Sequence, residues 1–229
     1  MITAGHVSKF VTRQCTRADC RLRFPVAADT TLGERCPHFG EATLVDLAYD
    51  THDARVQVGE QVAQESGSAR VTGPVVEALL DNVRSLRNVG SMFRTADGAG
   101  LRHMHLGGFT PTPAHPQMAK TALGAEATVP WSLHRDGAAA AGWLADAGMR
   151  LWALEGGPGS RDFFEVARSE RAGPPVVLVF GHEVSGVDPR ILARCERILR
   201  LPMLGLKGSL NVSVAFGIAV YGLRFANGE

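Results

Sequence analysis

The sequence predicts an α/β fold: a mostly parallel sheet with helices on both faces, preceded by a small N-terminal module. Two observations carry the sheet. From Val71 onward, short continuous apolar runs alternate with stretches of helical period, and continuous apolar strands belong to sheets buried on both sides. The loops that follow these runs collect glycines with isolated charged and amide residues, where open parallel sheets bind their ligands. The third observation is a change of composition near residue 70. Residues 1–40 carry six basic side chains against three acidic ones, whereas Glu41 to Arg70 reverses sign and ends in the polar run QESGSAR, which reads as a tether. The expected organisation is therefore a module over 1–45, a linker over 46–70 and the main domain over 71–229.

The elements follow in order. PVVEALL (74–80) reads as a strand, and the stretch 88–99 as a helix. HMHLGG (103–108) predicts a second strand and GAAAAGWLADAG (137–148) a helix. RLWALEG (150–156), PPVVLVFG (174–181) and RILRLPM (197–203) predict further strands. SLNVSVAFGIAVYGLRFA (209–226) closes the chain as a helix, with Leu210, Val214, Ile218, Tyr221 and Phe225 at helical spacing.

Composition sets the bounds. A chain of 229 residues with 45% hydrophobic and 21% charged content is long enough for one sizeable domain plus an appendage. No apolar run approaches membrane-spanning length, and the N-terminus lacks the apolar core of a signal peptide, so a cytoplasmic protein is expected. A net charge of +1 is neutral on nucleic acid, because a local basic patch suffices. Cys15, Cys20 and Cys36 cluster near the start and suit metal ligation, while Cys195 sits at an apolar helical position and reads as a core thiol.

Three loops exceed what structure requires. In RSLRNVGSMFRTADGAG (84–100), helical spacing sets Arg84, Arg87, Ser91 and Arg94 on one face, opposite Leu86, Val89, Phe93 and Ala96. A solvated basic face would explain the arginines, but Gly90 in mid-helix costs up to about 1 kcal/mol and implies close backbone approach. In FGHEVSGVDP (180–189), Gly181 would let a ligand reach the strand end, Glu183 supplies a carboxylate and Pro189 starts a helix. In LPMLGLKGSLNVS (201–213), Gly205 and Gly208 bracket a loop, Ser209 sits where an N-cap belongs, and Asn211 interrupts an apolar run without a capping task.

NVRSLRNVGSMFRTADGAG (82–100), LVFGHEVSGVDP (178–189) and LPMLGLKGSLNVSVAFGIAVYG (201–222), with TPTPAHPQMAKTALGAEATVPW (110–131), resemble the motifs of the SPOUT superfamily, specifically its SpoU/TrmH-type RNA ribose 2′-O-methyltransferases. The resemblance covers residues 71–226. It implies a C-terminal trefoil knot, S-adenosylmethionine held there, and a homodimer acting on tRNA or rRNA. Carried over, Gly181, Leu201 and Leu210 would hold the cofactor through backbone groups. Asn88, Arg94, Glu183, Ser209 and Asn211 match the polar active-site positions, with Arg84 and Arg87 free to meet RNA phosphate. A guanidinium has no acceptor and a pKa above about 12, so Arg94 is expected to orient the RNA and stabilise a developing alkoxide rather than take its proton. Glu183 could hold Arg94 in a bidentate pair. The alternative from another class is an RNA-binding protein of this fold without turnover.

ALEGGPGS (153–160) resembles the acidic-glycine loop of Rossmann-type methyltransferases, but Arg161 stands at its third glycine position and it falls late in the chain. His103 and His105 would suit a metal only if they share a strand face, and they lack an evident third ligand. Cys15-x4-Cys20 followed by RCPHFGEAT resembles a zinc ribbon in which Phe39 takes the place of the fourth cysteine. Either His38 completes a Cys3His zinc site with Cys15, Cys20 and Cys36, or the site is degenerate. The closing helix carries more apolar surface (Val214, Phe216, Ile218, Val220, Tyr221, Phe225) than one packed face needs, which suits a homodimer.

Overall fold

The structure, a computed structural model, describes residues 9–20, 22–31, 33–50, 74–170 and 173–225. It divides into two compact units, Met1–Arg70 and Val71–Glu229.

The N-terminal unit is a three-stranded antiparallel sheet of β1 (Lys9–Cys15), β2 (Arg23–Ala27) and β3 (Thr43–Asp50), in the order β2-β1-β3. Two turns project from it. One is closed by the Cys15 N–H donating to the Leu22 carbonyl, the other by the Cys36 N–H donating to that of Glu41. Strand β3 runs through Asp50, five residues into the stretch expected as linker. Residues 51–70 of that linker lie outside the described residues.

The larger unit is built on a seven-stranded sheet of β4 (Val76–Asp81), β5 (Met104–Gly107), β6 (Trp131–His134), β7 (Arg150–Leu154), β8 (Arg161–Asp162), β9 (Val176–Phe180) and β10 (Arg197–Arg200). The order is β6-β5-β4-β9-β7-β10-β8, and every pairing is parallel. Strands β4 and β9 lie at its centre and are buried at every position. Two-residue periodicity sends Ala78, Leu80, Trp152, Leu178 and Phe180 to one core and Leu79, Leu151, Val177 and Val179 to the other.

Helices cover both faces. The first core is closed by α1 (Leu86–Ala99), α2 (Ala119–Ala122), α3 (Ala125–Thr128), α5 (Phe163–Ser169) and α7 (Val212–Phe225). The second is closed by α4 (Gly137–Asp146) and α6 (Pro189–Leu192). Each fully buried leucine or phenylalanine contributes about 1.5–3 kcal/mol relative to exposure. The sequence marks where α1 begins and ends. The Ser85 hydroxyl accepts the Asn88 N–H as N-cap, and Gly100 closes the helix in the left-handed conformation at φ 64°.

Gly90 marks a close approach, but by the chain itself: a Cβ there would lie 1.9 Å from Thr121 Oγ1. The closing helix starts at Val212 rather than Ser209. Ser209 is exposed loop, and Asn211 is the cap, its Oδ1 accepting the Ser213 N–H at 2.9 Å while its carbonyl takes the Ala215 N–H. The capping oxygen that the sequence reading gave to Ser209 therefore belongs to Asn211, because the loop runs two residues longer. None of the described helices is long and apolar enough to cross a membrane.

Candidate active site

The C-terminal ends of β4, β7, β9 and β10 and the N-termini of α1 and α7 meet along one edge of the sheet. There the start of α1 and the glycine-bearing loops after β9 and β10 converge. Glu183, in the loop after β9, accepts hydrogen bonds from the backbone N–H groups of Arg84 (3.1 Å) and Ser85 (3.2 Å) and from Asn88 Nδ2 (3.3 Å). Asn88 Oδ1 in turn accepts from Asn211 Nδ2 at 3.2 Å, and Asn211 Oδ1 takes the Ser213 N–H and hydroxyl. One hydrogen-bond chain thus ties the first turn of α1 to two loops, 95 and 123 residues away in sequence. Each amide has its oxygen and nitrogen assigned by a different neighbour, which fixes both orientations. Partial burial opposes charge on Glu183, but the N–H groups of Arg84 and Ser85, its own N–H and the Asn88 amide outweigh that cost. The carboxyl is held below the ordinary glutamate range.

Beside this chain lies a cavity of about 320 Å³ between the ends of β7, β9 and β10 and the loop leading into α7. Gly181, Leu201 and Leu210, the three residues expected to hold a cofactor, all line it, together with Glu183 and Ser209. Gly181 is glycine for a reason other than ligand approach. A Cβ there would lie 2.3 Å from the carbonyl of Gly186, so the turn 182–186 folds back against the strand end. That turn is closed by reciprocal bonds between the backbones of His182 and Gly186.

The arginines divide. Arg84 is held beside Glu183, its Nε 4.0 Å from Oε2. Arg87 and Arg94 are exposed on α1 and have no hydrogen-bond or ion-pair partner among the described residues. The expected bidentate pair between Glu183 and Arg94 is therefore absent among the described residues. Both carboxylate oxygens are already taken by groups at the start of α1, two turns away from Arg94.

Two participants escaped the sequence reading. Glu155 lines the cavity, accepts the Val187 N–H at 3.0 Å and supports the turn at Gly186. It lies in the ALEGGPGS stretch set aside above, yet directly follows the apolar run of β7, so the rule that picked the other strand-end loops applies to it. His182 Nδ1 accepts the N–H groups of Val184 and Ser185, and its ring stands edge-on to the exposed Phe109 at 6.1 Å.

The remaining candidates lie elsewhere. The sulfurs of Cys15, Cys20 and Cys36 lie within 4.8 Å of one another, and His38 is not part of that group. His103 and His105 do share a strand face, with ring centroids 4.5 Å apart, and a third imidazole, His134, stands beside them. Nε2 of His103 and of His134 bond Ser132, and His105 bonds His134 and Glu77, a partly buried hydrogen-bond network on β4, β5 and β6. Among the described residues the cysteine cluster alone has metal-ligand spacing.

A parallel sheet with its polar loops gathered at one strand edge, and with these motifs, is the architecture of a SpoU-type protein. The chain belongs to the SpoU rRNA Methylase family, whose model matches residues 76–221. It is 32% identical over 148 residues to the tRNA (guanosine(18)-2′-O)-methyltransferase of Thermus thermophilus, covering 65% of this chain and 73% of that one. It is 33% identical over 148 residues to the 23S rRNA (guanosine(2553)-2′-O)-methyltransferase RlmP of Bacillus subtilis, covering 64% of this chain and 56% of that relative. Among solved structures, the AdoMet-bound rRNA methyltransferase of Sinorhizobium meliloti matches with a TM-score of 0.60 at 28% identity, covering 66% of this chain and 56% of that one. The TrmH/SpoU tRNA modifying enzyme of A. aeolicus matches with 0.57 at 27%, covering 67% and 74%.

Proposed function

We propose that this protein transfers the methyl group of S-adenosylmethionine to a ribose 2′-hydroxyl of tRNA or rRNA, working as a cytoplasmic homodimer. The observation that carries this reading is the joining of the three motif loops by the Glu183–Asn88–Asn211 hydrogen-bond chain beside a cavity lined by Gly181, Leu201 and Leu210. The names of the relatives support it, as does the cofactor in the S. meliloti structure.

The cavity fits such a cofactor chemically. Phe180, Leu201, Met203 and Leu210 offer apolar walls, and the strand-end backbone offers polar groups. When bound, S-adenosylmethionine supplies a sulfonium methyl group open to nucleophilic attack. Asn88 and Asn211 are held in fixed orientations through Glu183, which lines the cavity and, with both oxygens engaged, acts as a positioning residue. Arg94 orients an RNA phosphate and the attacking hydroxyl and stabilises the developing alkoxide. The hydroxyl proton leaves to an RNA phosphate or water. Arg87 adds phosphate contacts. No step is assigned to the cysteine cluster.

The C-terminal segment is read as threaded into the trefoil knot of the family. Supporting this, β10 is inserted between β7 and β8 while the next element, α7, packs against α1. The dimer reading rests on the outer stripe of α7. Calorimetry tests the proposal: one S-adenosylmethionine site per chain is expected, and Arg94→Ala should abolish transfer while leaving cofactor affinity within a few-fold. Absence of binding at millimolar cofactor would overturn it. Cofactor and RNA binding without transfer by the wild type would favour the non-catalytic alternative.

A further inference from the structure

The N-terminal unit holds three cysteines that the proposed methyl transfer does not use. Cys15 ends β1, Cys20 closes the turn that follows, and Cys36 opens the second turn. The two turns are pinned side by side, the Thr16 N–H and hydroxyl both donating to the Ala42 carbonyl. The result brings three sulfurs within 4.8 Å of one another, with Cys20 and Cys36 Sγ 3.7 Å apart. Cys15 and Cys36 are each only 2% exposed.

Polar groups of the chain surround the sulfurs. The backbone N–H groups of His38 and Phe39 face the Cys36 sulfur, and the Arg17 N–H faces that of Cys15. The Arg17 guanidinium, paired with Asp19 at 2.6 Å, lies near enough to Cys15 and Cys20 to interact electrostatically with them. Among the N-terminal residues whose side chains are described, Cys15, Cys36 and Thr43 are the buried ones. A module this small commonly needs a metal or a cross-link to hold its fold.

The fourth corner differs from the other three. His38 is exposed, edge-on to Phe39 at 6.3 Å, and Phe39 is 51% exposed beneath the Arg17 guanidinium, 4.4 Å from its ring centroid. Neither side chain supplies a metal-ligating atom to the cluster.

We propose that Cys15, Cys20 and Cys36 form a three-thiolate site for a zinc-class divalent cation, with its fourth coordination position open to solvent or a small external ligand. Binding converts three thiols to thiolates and releases their three protons to bulk solvent, leaving one net negative charge on the metal–thiolate group. Zinc sites with three protein ligands keep such an exchangeable position, whereas four-ligand structural sites are closed.

The test uses the full-length protein. Metal analysis after purification without chelator should give one zinc per chain. Cobalt(II) substitution should show a charge-transfer absorption whose intensity corresponds to three thiolates, and added imidazole should perturb the ligand-field bands. Cys20→Ser should lose the metal and His38→Ala should keep it. Phe39→Cys, which restores a Cys-x2-Cys spacing with Cys36, should tighten zinc binding by roughly tenfold or more and abolish the imidazole response. A wild type that binds neither metal, or that carries a Cys20–Cys36 disulfide as its stable state, would overturn the site. Loss of metal in His38→Ala, or unchanged affinity in Phe39→Cys, would overturn the open position. A wild-type cobalt spectrum that imidazole leaves unchanged would likewise overturn the open position, so misfolding of a variant leaves the decision intact.

Discussion

Glu183 spends both carboxylate oxygens on the residues that lead into α1, and this decides what it can do. Replacing it by alanine takes the acceptor from the Arg84 and Ser85 N–H groups and the Asn88 amide, at a cost of about 0.5–1.5 kcal/mol because water reaches these exposed groups. Glu183→Gln, which keeps one acceptor oxygen, should cost less. Thermal unfolding should show this ordering, and transfer assays should show kcat falling more than cofactor affinity in both. Equal stability of all three proteins would contradict the positioning role. Gly181 is a second residue-scale test. The Gly186 carbonyl 2.3 Å from a Cβ there means that Gly181→Ala must move the turn 182–186, costing about 1–3 kcal/mol and weakening cofactor binding. At this scale the sequence showed which residues matter better than why. Gly90 and Gly181 both stood out, but Thr121 and Gly186, whose proximity requires them, come from segments that only tertiary packing brings near. Asn211 likewise stood out as unexplained, and a two-residue shift of the helix start supplies its capping role.

Among the elements, α7 is apolar all round. Phe216, Ala219, Val220 and Leu223 are buried in the core, so Phe216 and Val220 are not available to a partner. Val214, Tyr221 and Phe225 are 45–50% exposed on the outer stripe, with Ile218 between them. A helix with a second apolar face outside a filled core calls for a partner. Sedimentation or light scattering at micromolar concentration should give the mass of two chains, and Val214→Glu should give one chain with unchanged circular dichroism. A monomeric wild type would contradict this. The β5–β6 edge gives a pH test. Burial lowers the pKa of His103 and of His134, and the neighbouring His105 pushes the same way. Since the folded values lie below the unfolded value of 6.5, the unfolded chain takes up protons first as pH falls. Thermal stability should therefore decline as pH drops below about 6.5, and His134→Gln should reduce the decline. A flat profile would contradict it. Periodicity exposed β4, β5, β7, β9 and the long helices because their apolar runs are continuous. It missed β6, a four-residue edge strand of mixed exposure, and β8, only two residues long. Strands that short have too few alternations to stand out from loops.

On the scale of the whole molecule, the parallel sheet and the strand edge that carries the site were legible in the sequence, because buried parallel strands and their terminal loops leave compositional marks. The strand order was not. Pairing β4 with β9 across almost a hundred residues, and inserting β10 between β7 and β8, is set by long-range packing that no local pattern encodes. The same holds for the meeting of Glu183, Asn88 and Asn211, three residues chosen separately from three loops. Whether this meeting serves ribose methylation is read from the methylated product itself. Wild-type protein, S-adenosylmethionine labelled in its methyl group and RNA from a strain lacking the gene are incubated together. The RNA is then hydrolysed in alkali, which leaves intact the phosphodiester next to a 2′-O-methylated ribose. Ribose methylation puts the label in alkali-resistant dinucleotides, and Arg94→Ala should remove it. Label recovered on a nucleobase in mononucleotides, or no transfer from a protein that binds both cofactor and RNA, would contradict it.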